Sequence, residues 1–163
     1  MHERRTFASL RMCVFFYIIE SEIREAVIPL GWVLYNPNPH GRRVGDCSTR
    51  ALAKALTDGD WFGAFALQVA EAVLRGDETD ADEVWGAVLR RHGWRRYVIP
   101  NECPDCYTVR DFCRDHPTGL YILCPAQHVV CVENGDWFDS WDSGDTVPMW
   151  YWTPAEFIGQ DGR

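Results

Sequence analysis

With 163 residues, 47% of them hydrophobic and 13% aromatic, the chain is long enough for one packed core and short for two, and its composition excludes a disordered protein. A formal charge of −8 argues against nucleic acid as a partner, since a phosphate backbone calls for a basic stripe, and suits a cationic substrate better. Seven cysteines, an odd number with no convincing secretion signal, read as reduced thiols in a cytoplasmic protein.

The chain opens with basic residues and an apolar run at positions 12–19, which is too short to span a bilayer and is followed by acidic ESEIRE without a small-residue cleavage site. Residues 1–30 are therefore expected to form an N-terminal extension outside the core, 31–155 the folded domain and 156–163 a tail, with no membrane partner. Positions 32–35 read as a short strand, and NPNPHG as a turn-rich loop.

The loop leads into GDCSTRALAKAL, which reads as an N-cap, Asp46, followed by a helix whose first residue is Cys47. The Asp46 carboxylate is expected to accept the amide of Ser48 or Thr49. The positive end of the helix favours thiolate over thiol at Cys47, and the Cys47 amide lies where an oxyanion forms in acyl transfer.

Positions 61–75 carry apolar residues at helical spacing, predicting a helix with Trp61, Phe62, Phe65, Val69, Ala72 and Val73 inward. Thr79 or Asp80 is expected to cap a second helix over 81–92, with Val84, Val88 and Leu89 inward and Gly93 as its stop. A possible strand at 97–99 follows, then a helix opened by Thr108 and ended before Pro117. Beyond Gly119 the pattern turns to strands: 120–124, a hairpin around Asn134-Gly135, and 149–152. Helices first and an antiparallel sheet afterwards make an α+β fold.

The hairpin is the most geometrically constrained stretch. An Asn-Gly turn of two residues opposes Glu133 to Asp136, Val132 to Trp137 and Cys131 to Phe138. Strand alternation then puts His128, Val130, Val132, Trp137 and Asp139 on one face, so that Asp139 can orient the His128 imidazole. A thiol on a helix N-terminus, an imidazole and a carboxylate together are the parts of nucleophilic acyl transfer: Cys47 as nucleophile, His128 as base and Asp139 as orienter.

A Cys opening a helix, a distant His opening a strand and an Asp on the next strand resemble the papain-like cysteine peptidase superfamily, and in size and interval its bacteriocin-processing, double-glycine branch. NPNPHGRRVGDCSTRALAKAL, CPDCYTVRDF and HVVCVENGDWFDSWDSGD also resemble small uncharacterised proteins of bacteria and their prophages, over roughly positions 32–152. The superfamily likeness implies N-terminal helices packed on a C-terminal antiparallel sheet, a Cys47-His128-Asp139 triad, a peptide or protein substrate and no cofactor. The oxyanion Gln usual ahead of the Cys is absent, and Asn38, or else Asn36, is the candidate in its stead. Trp137 and Trp141 are candidates to line a substrate cleft. The expected activity is thiol-dependent hydrolysis of an amide or isopeptide bond; the alternatives are an acyltransferase with the same triad and a catalytically silent binding module of phage or prophage origin.

Cys103 and Cys106 form a CxxC followed by Cys113 and His116, so a tetrahedral zinc site is an alternative to plain structural cysteines, as is a redox pair. Cys113 falls on the apolar face of the Thr108 helix, beside Val109 and Phe112, which favours packing over a metal.

Overall fold

The computed structural model describes residues 31–100 and 106–156. The expected extension at 1–30 and nearly all of the tail at 156–163 lie outside these residues. Among the described residues, four helices and six strands follow one another as β1 (Trp32–Leu34), α1 (Cys47–Leu56), α2 (Trp61–Arg75), α3 (Asp82–Arg91), β2 (Trp94–Val98), α4 (Val109–Asp115), β3 (Leu120–Pro125), β4 (Val130–Glu133), β5 (Asp136–Asp139) and β6 (Pro148–Pro154). The strands form one sheet in the order β1-β5-β4-β3-β6-β2.

The β4–β5 hairpin has the expected register, Cys131 opposite Phe138, Val132 opposite Trp137 and Glu133 opposite Asp136. Its turn residues Asn134 and Gly135 both have positive φ, 52° and 82°, the left-handed pair that a two-residue turn between twisted strands requires. The sheet is not wholly antiparallel, however. β1 runs parallel to β5 along one edge, pairing Trp32 with Trp137 and Leu34 with Asp139, and the remaining pairs are antiparallel.

Helices α1 and α3 cover one face of the sheet, with α2 packed on both of them, and Ala51, Leu52, Trp85, Val88 and Leu89 pack against Ile122, Cys131 and Trp152. The opposite face is covered by α4, whose Val109, Phe112 and Cys113 meet Tyr121, Leu123, Val130, Val132 and Trp137. Thr108 starts α4 with a full capping box: its hydroxyl accepts the Asp111 amide, and the Asp111 carboxylate accepts the Thr108 amide.

Helix α2 has the expected limits but not the expected face. It buries Ala64, Gln68, Glu71 and Ala72, while Phe62 and Val73 are 62% and 77% exposed. The polar partners on its neighbours explain the rotation. Gln68 accepts the Thr49 hydroxyl at 2.6 Å and donates to Ser48 Oγ and the Thr79 carbonyl, both at 3.0 Å, and Glu71 is paired with Arg75 and Arg91. A buried amide with all its partners in place outweighs the more symmetric apolar stripe, because leaving Ser48 and Thr49 unpaired against a helix of phenylalanines would cost about 1–3 kcal/mol per group. Among the described residues no helix is long and apolar enough to cross a membrane.

Candidate active site

Helix α1 is the centre of the site. Six successive residues, Ser48 to Ala53, are buried, because α1 lies between α2 and strands β3, β4 and β5. Its N-terminus therefore has neighbours on several sides, and those neighbours decide where each polar side chain turns.

Asp46 occupies the N-cap position but does not cap: no side-chain hydrogen bond joins it to the helix amides. This corrects the sequence expectation. Its carboxylate is drawn instead to the buried Arg50 guanidinium one turn on, with Asn38 Nδ2 at 2.6 Å and Trp61 Nε1 at 3.1 Å on the other oxygen. A buried cation binds a carboxylate more strongly than backbone amides do, and position i+4 on a helix brings it within reach. The first-turn amides of α1 are thereby left without a side-chain acceptor, as an oxyanion hole requires.

Asp139, the last residue of β5, is fixed on every side. Its carbonyl accepts the Tyr35 amide at 2.8 Å and Trp32 Nε1 at 3.1 Å, so the parallel β1 strand holds its backbone. Of its carboxylate oxygens, Oδ1 accepts the Ser140 amide at 2.7 Å and lies 3.7 Å from Arg50 Nη2, while Oδ2 meets His128 Nε2 at 2.5 Å. Ser140 Oγ donates to the Arg43 carbonyl at 3.1 Å, which ties the end of β5 to the loop ahead of Cys47.

His128 is not within the strand. It follows a turn in which Gln127 takes a left-handed φ of 58°, and its amide donates to the Pro125 carbonyl at 3.0 Å. A non-glycine residue in that region is held by its surroundings at a modest local cost, a pattern common beside functional groups. Since His128 precedes β4, strand alternation does not place it on the face of Val130; it meets Asp139 where both strands end. With Nε2 on Asp139, the ring also lies close enough to Cys47, which lines the same cleft, to interact with its thiol electrostatically.

Burial alone would lower the His128 pKa. The hydrogen bond to Asp139 and the interaction with Cys47, with the negative charges of both, outweigh that effect and push it up to about 9 from its ordinary 6.5. Burial pushes the Cys113 thiol up to about 12 and also raises those of Cys124 and Cys131. Cys47, unlike them, is only partly buried.

Cys47 and His128 open on a cleft of about 650 Å³ whose walls include Trp85, Trp141, Met149 and Trp150. The structure separates the two tryptophans singled out from sequence. Trp141 is 46% exposed, lines the cleft and has its ring centroid 5.3 Å from that of His128. Trp137 belongs to the core beneath α4, with its Nε1 donated to Asp142, and is not a cleft residue. Nor does Asn38 line the cleft: it is buried behind α1, with Nδ2 on Asp46 and Oδ1 accepting the His40 amide at 2.8 Å.

The zinc alternative does not fit. Cys106 is in a disulfide, Cys113 is fully buried in the α4 core, and His116 stacks on Phe112 at 4.0 Å with Nδ1 on the Phe112 carbonyl. Cys103 lies outside the described residues. The disulfide also corrects the reading of every cysteine as a reduced thiol, and with it the premise for a reducing compartment. Among the described residues no cluster of three His, Cys, Asp or Glu side chains is arranged to hold a metal.

Arg50 is the site residue that sequence reasoning missed, although an Asp at i and an Arg at i+4 was a readable signal. In comparisons with known proteins, the chain matches no family model, no curated protein and no solved structure.

Proposed function

We propose that the protein is a thiol-dependent hydrolase of amide or isopeptide bonds, a cysteine peptidase of papain-like arrangement with Cys47 as nucleophile, His128 as acid and base and Asp139 as its orienting carboxylate. The observation that carries this reading is the ring of His128, held at Nε2 by a buried carboxylate 2.5 Å away and sharing one open cleft with a part-exposed thiol on a helix N-terminus. Nucleophile, base and orienter brought together are the geometric signature of activated acyl transfer.

In this mechanism an imidazole that keeps its proton up to about pH 9 stands beside the sulfur as imidazolium. The Cys47 thiolate attacks the carbonyl carbon, and the negative charge passes to the carbonyl oxygen, which the uncapped first-turn amides of α1 receive. His128 gives its proton to the leaving amine as the C–N bond breaks, leaving a thioester on Cys47. The now neutral ring takes a proton from water, whose oxygen attacks the thioester; collapse releases the acid and restores thiolate and imidazolium. Asp139 keeps the ring's tautomer and tilt through both steps.

Labelling with a peptide-vinyl electrophile, followed by mass-spectrometric mapping, tests the reading. Modification at Cys47, lost in His128→Ala, is expected; labelling spread over other cysteines or independent of His128 would overturn it.

A further inference from the structure

Arg50 is a cation with a side chain only 4% exposed, and the sequence places it one turn after the nucleophile. A buried guanidinium is costly unless carboxylates and hydrogen bonds surround it. Here two carboxylates do so from two directions: Asp46, adjoining Cys47 in the chain, on Nη1, and Asp139, the partner of His128, 3.7 Å from Nη2. Among the described side chains of α1, the planar fork is the one that meets the Asp139 carboxylate directly.

We infer that Arg50 is a positioning residue of the proposed triad, its guanidinium fork holding one oxygen of Asp139 so that the other faces His128, and offsetting the charge of the two carboxylates beside Cys47. This rests on the hydrolase reading and adds to it a residue that touches no substrate.

The electrostatic consequence is directional. The charged and titratable groups around the sulfur are Asp46 and Arg50 on α1, His128 ahead of β4, Asp139 on β5, Arg43 on the preceding loop, Asp80 and Asp82 on the cleft wall ahead of and within α3, and the Cys124 thiol on β3. Lys54 and Glu133 pair with each other. Arg50 is the cation that meets both carboxylates next to the thiol. Without it two negative charges stand against formation of a third on Cys47, so the thiolate forms only at higher pH. A lysine at this position keeps the charge, but a single ammonium cannot serve both carboxylates at once.

The test is the pH profile of iodoacetamide alkylation mapped to Cys47 in the full chain, for wild type, Arg50→Lys, Arg50→Met and His128→Ala. The midpoint of the rise should move up by about one pH unit in Arg50→Met, the order expected for removing one opposite charge from the surroundings of the sulfur. Arg50→Lys should move it in the same direction by less. Loss of packing alone would lower stability without displacing the midpoint. Should Arg50→Met fail to fold, Arg50→Lys decides: a midpoint coincident with wild type overturns the inference. If instead the wild-type profile matches that of His128→Ala, the triad itself is refuted, and Arg50 with it.

Discussion

The raised His128 pKa is a statement about stability as well as chemistry. A ring whose value is about 9 in the folded chain against 6.5 ordinarily binds its proton more tightly when folded. The stabilisation is fully present below about pH 6.5 and is lost as pH rises through about 9. The full window corresponds to about 3 kcal/mol, and the part between about pH 6 and pH 8 to about 2 kcal/mol. The ring is 13% exposed, so solvent screening takes little from this. Urea unfolding followed by tryptophan fluorescence at several pH values gives the curve, with His128→Gln as reference. The buried thiols of Cys113, Cys124 and Cys131 also resist ionisation and add a loss of the same sign above about pH 8.5, but they contribute equally to both proteins and cancel in the difference. Wild type should therefore fall toward His128→Gln by about 2 kcal/mol between about pH 6 and pH 8. Parallel curves would refute the coupling of His128 to Asp139 and Cys47.

Asp46→Asn separates the two roles of that residue: asparagine caps as well as aspartate, so a cap would tolerate the change, whereas an uncompensated buried Arg50 should cost about 3–5 kcal/mol in urea unfolding. Trp141→Ala should slow labelling by a peptide electrophile at least about 10-fold with little change in melting temperature, because its ring is half exposed beside His128; Trp137→Ala should instead cost about 3–5 kcal/mol of stability. Deletion of residues 1–29 should leave a cooperative thermal transition, and its loss would show that the extension belongs to the core.

Which features were legible in the sequence follows from how local their causes are. The hairpin register is set by Asn134-Gly135 within ten residues, and the α4 start by Thr108 and Asp111 three apart, so both were readable. The parallel pairing of β1 with β5 joins residues about a hundred positions apart and has no local signal. The face of α2 was misread because periodicity counts apolar residues, and Gln68 is buried for the sake of Ser48 and Thr49 on another helix. At the site, the helix start at Cys47 and the nearness of His128 to Asp139 were readable, although His128 precedes β4 and so is not placed by the strand alternation that suggested it. The Asp46 carboxylate was not, since its direction depends on Asn38, Arg50 and Trp61 converging behind the helix.

The most direct test of the central claim is site-mapped alkylation of Cys47 against pH, in wild type and His128→Ala, which needs no substrate. An ordinary thiol of pKa about 8.5 is almost wholly protonated at about pH 6 and hardly reacts. Cys47 should react there in wild type, His128→Ala should leave only slow reaction above about pH 8, and Cys113, Cys124 and Cys131 should stay unmodified in both folded proteins. A Cys47 that titrates like a free thiol, identically in the two proteins, would contradict the account.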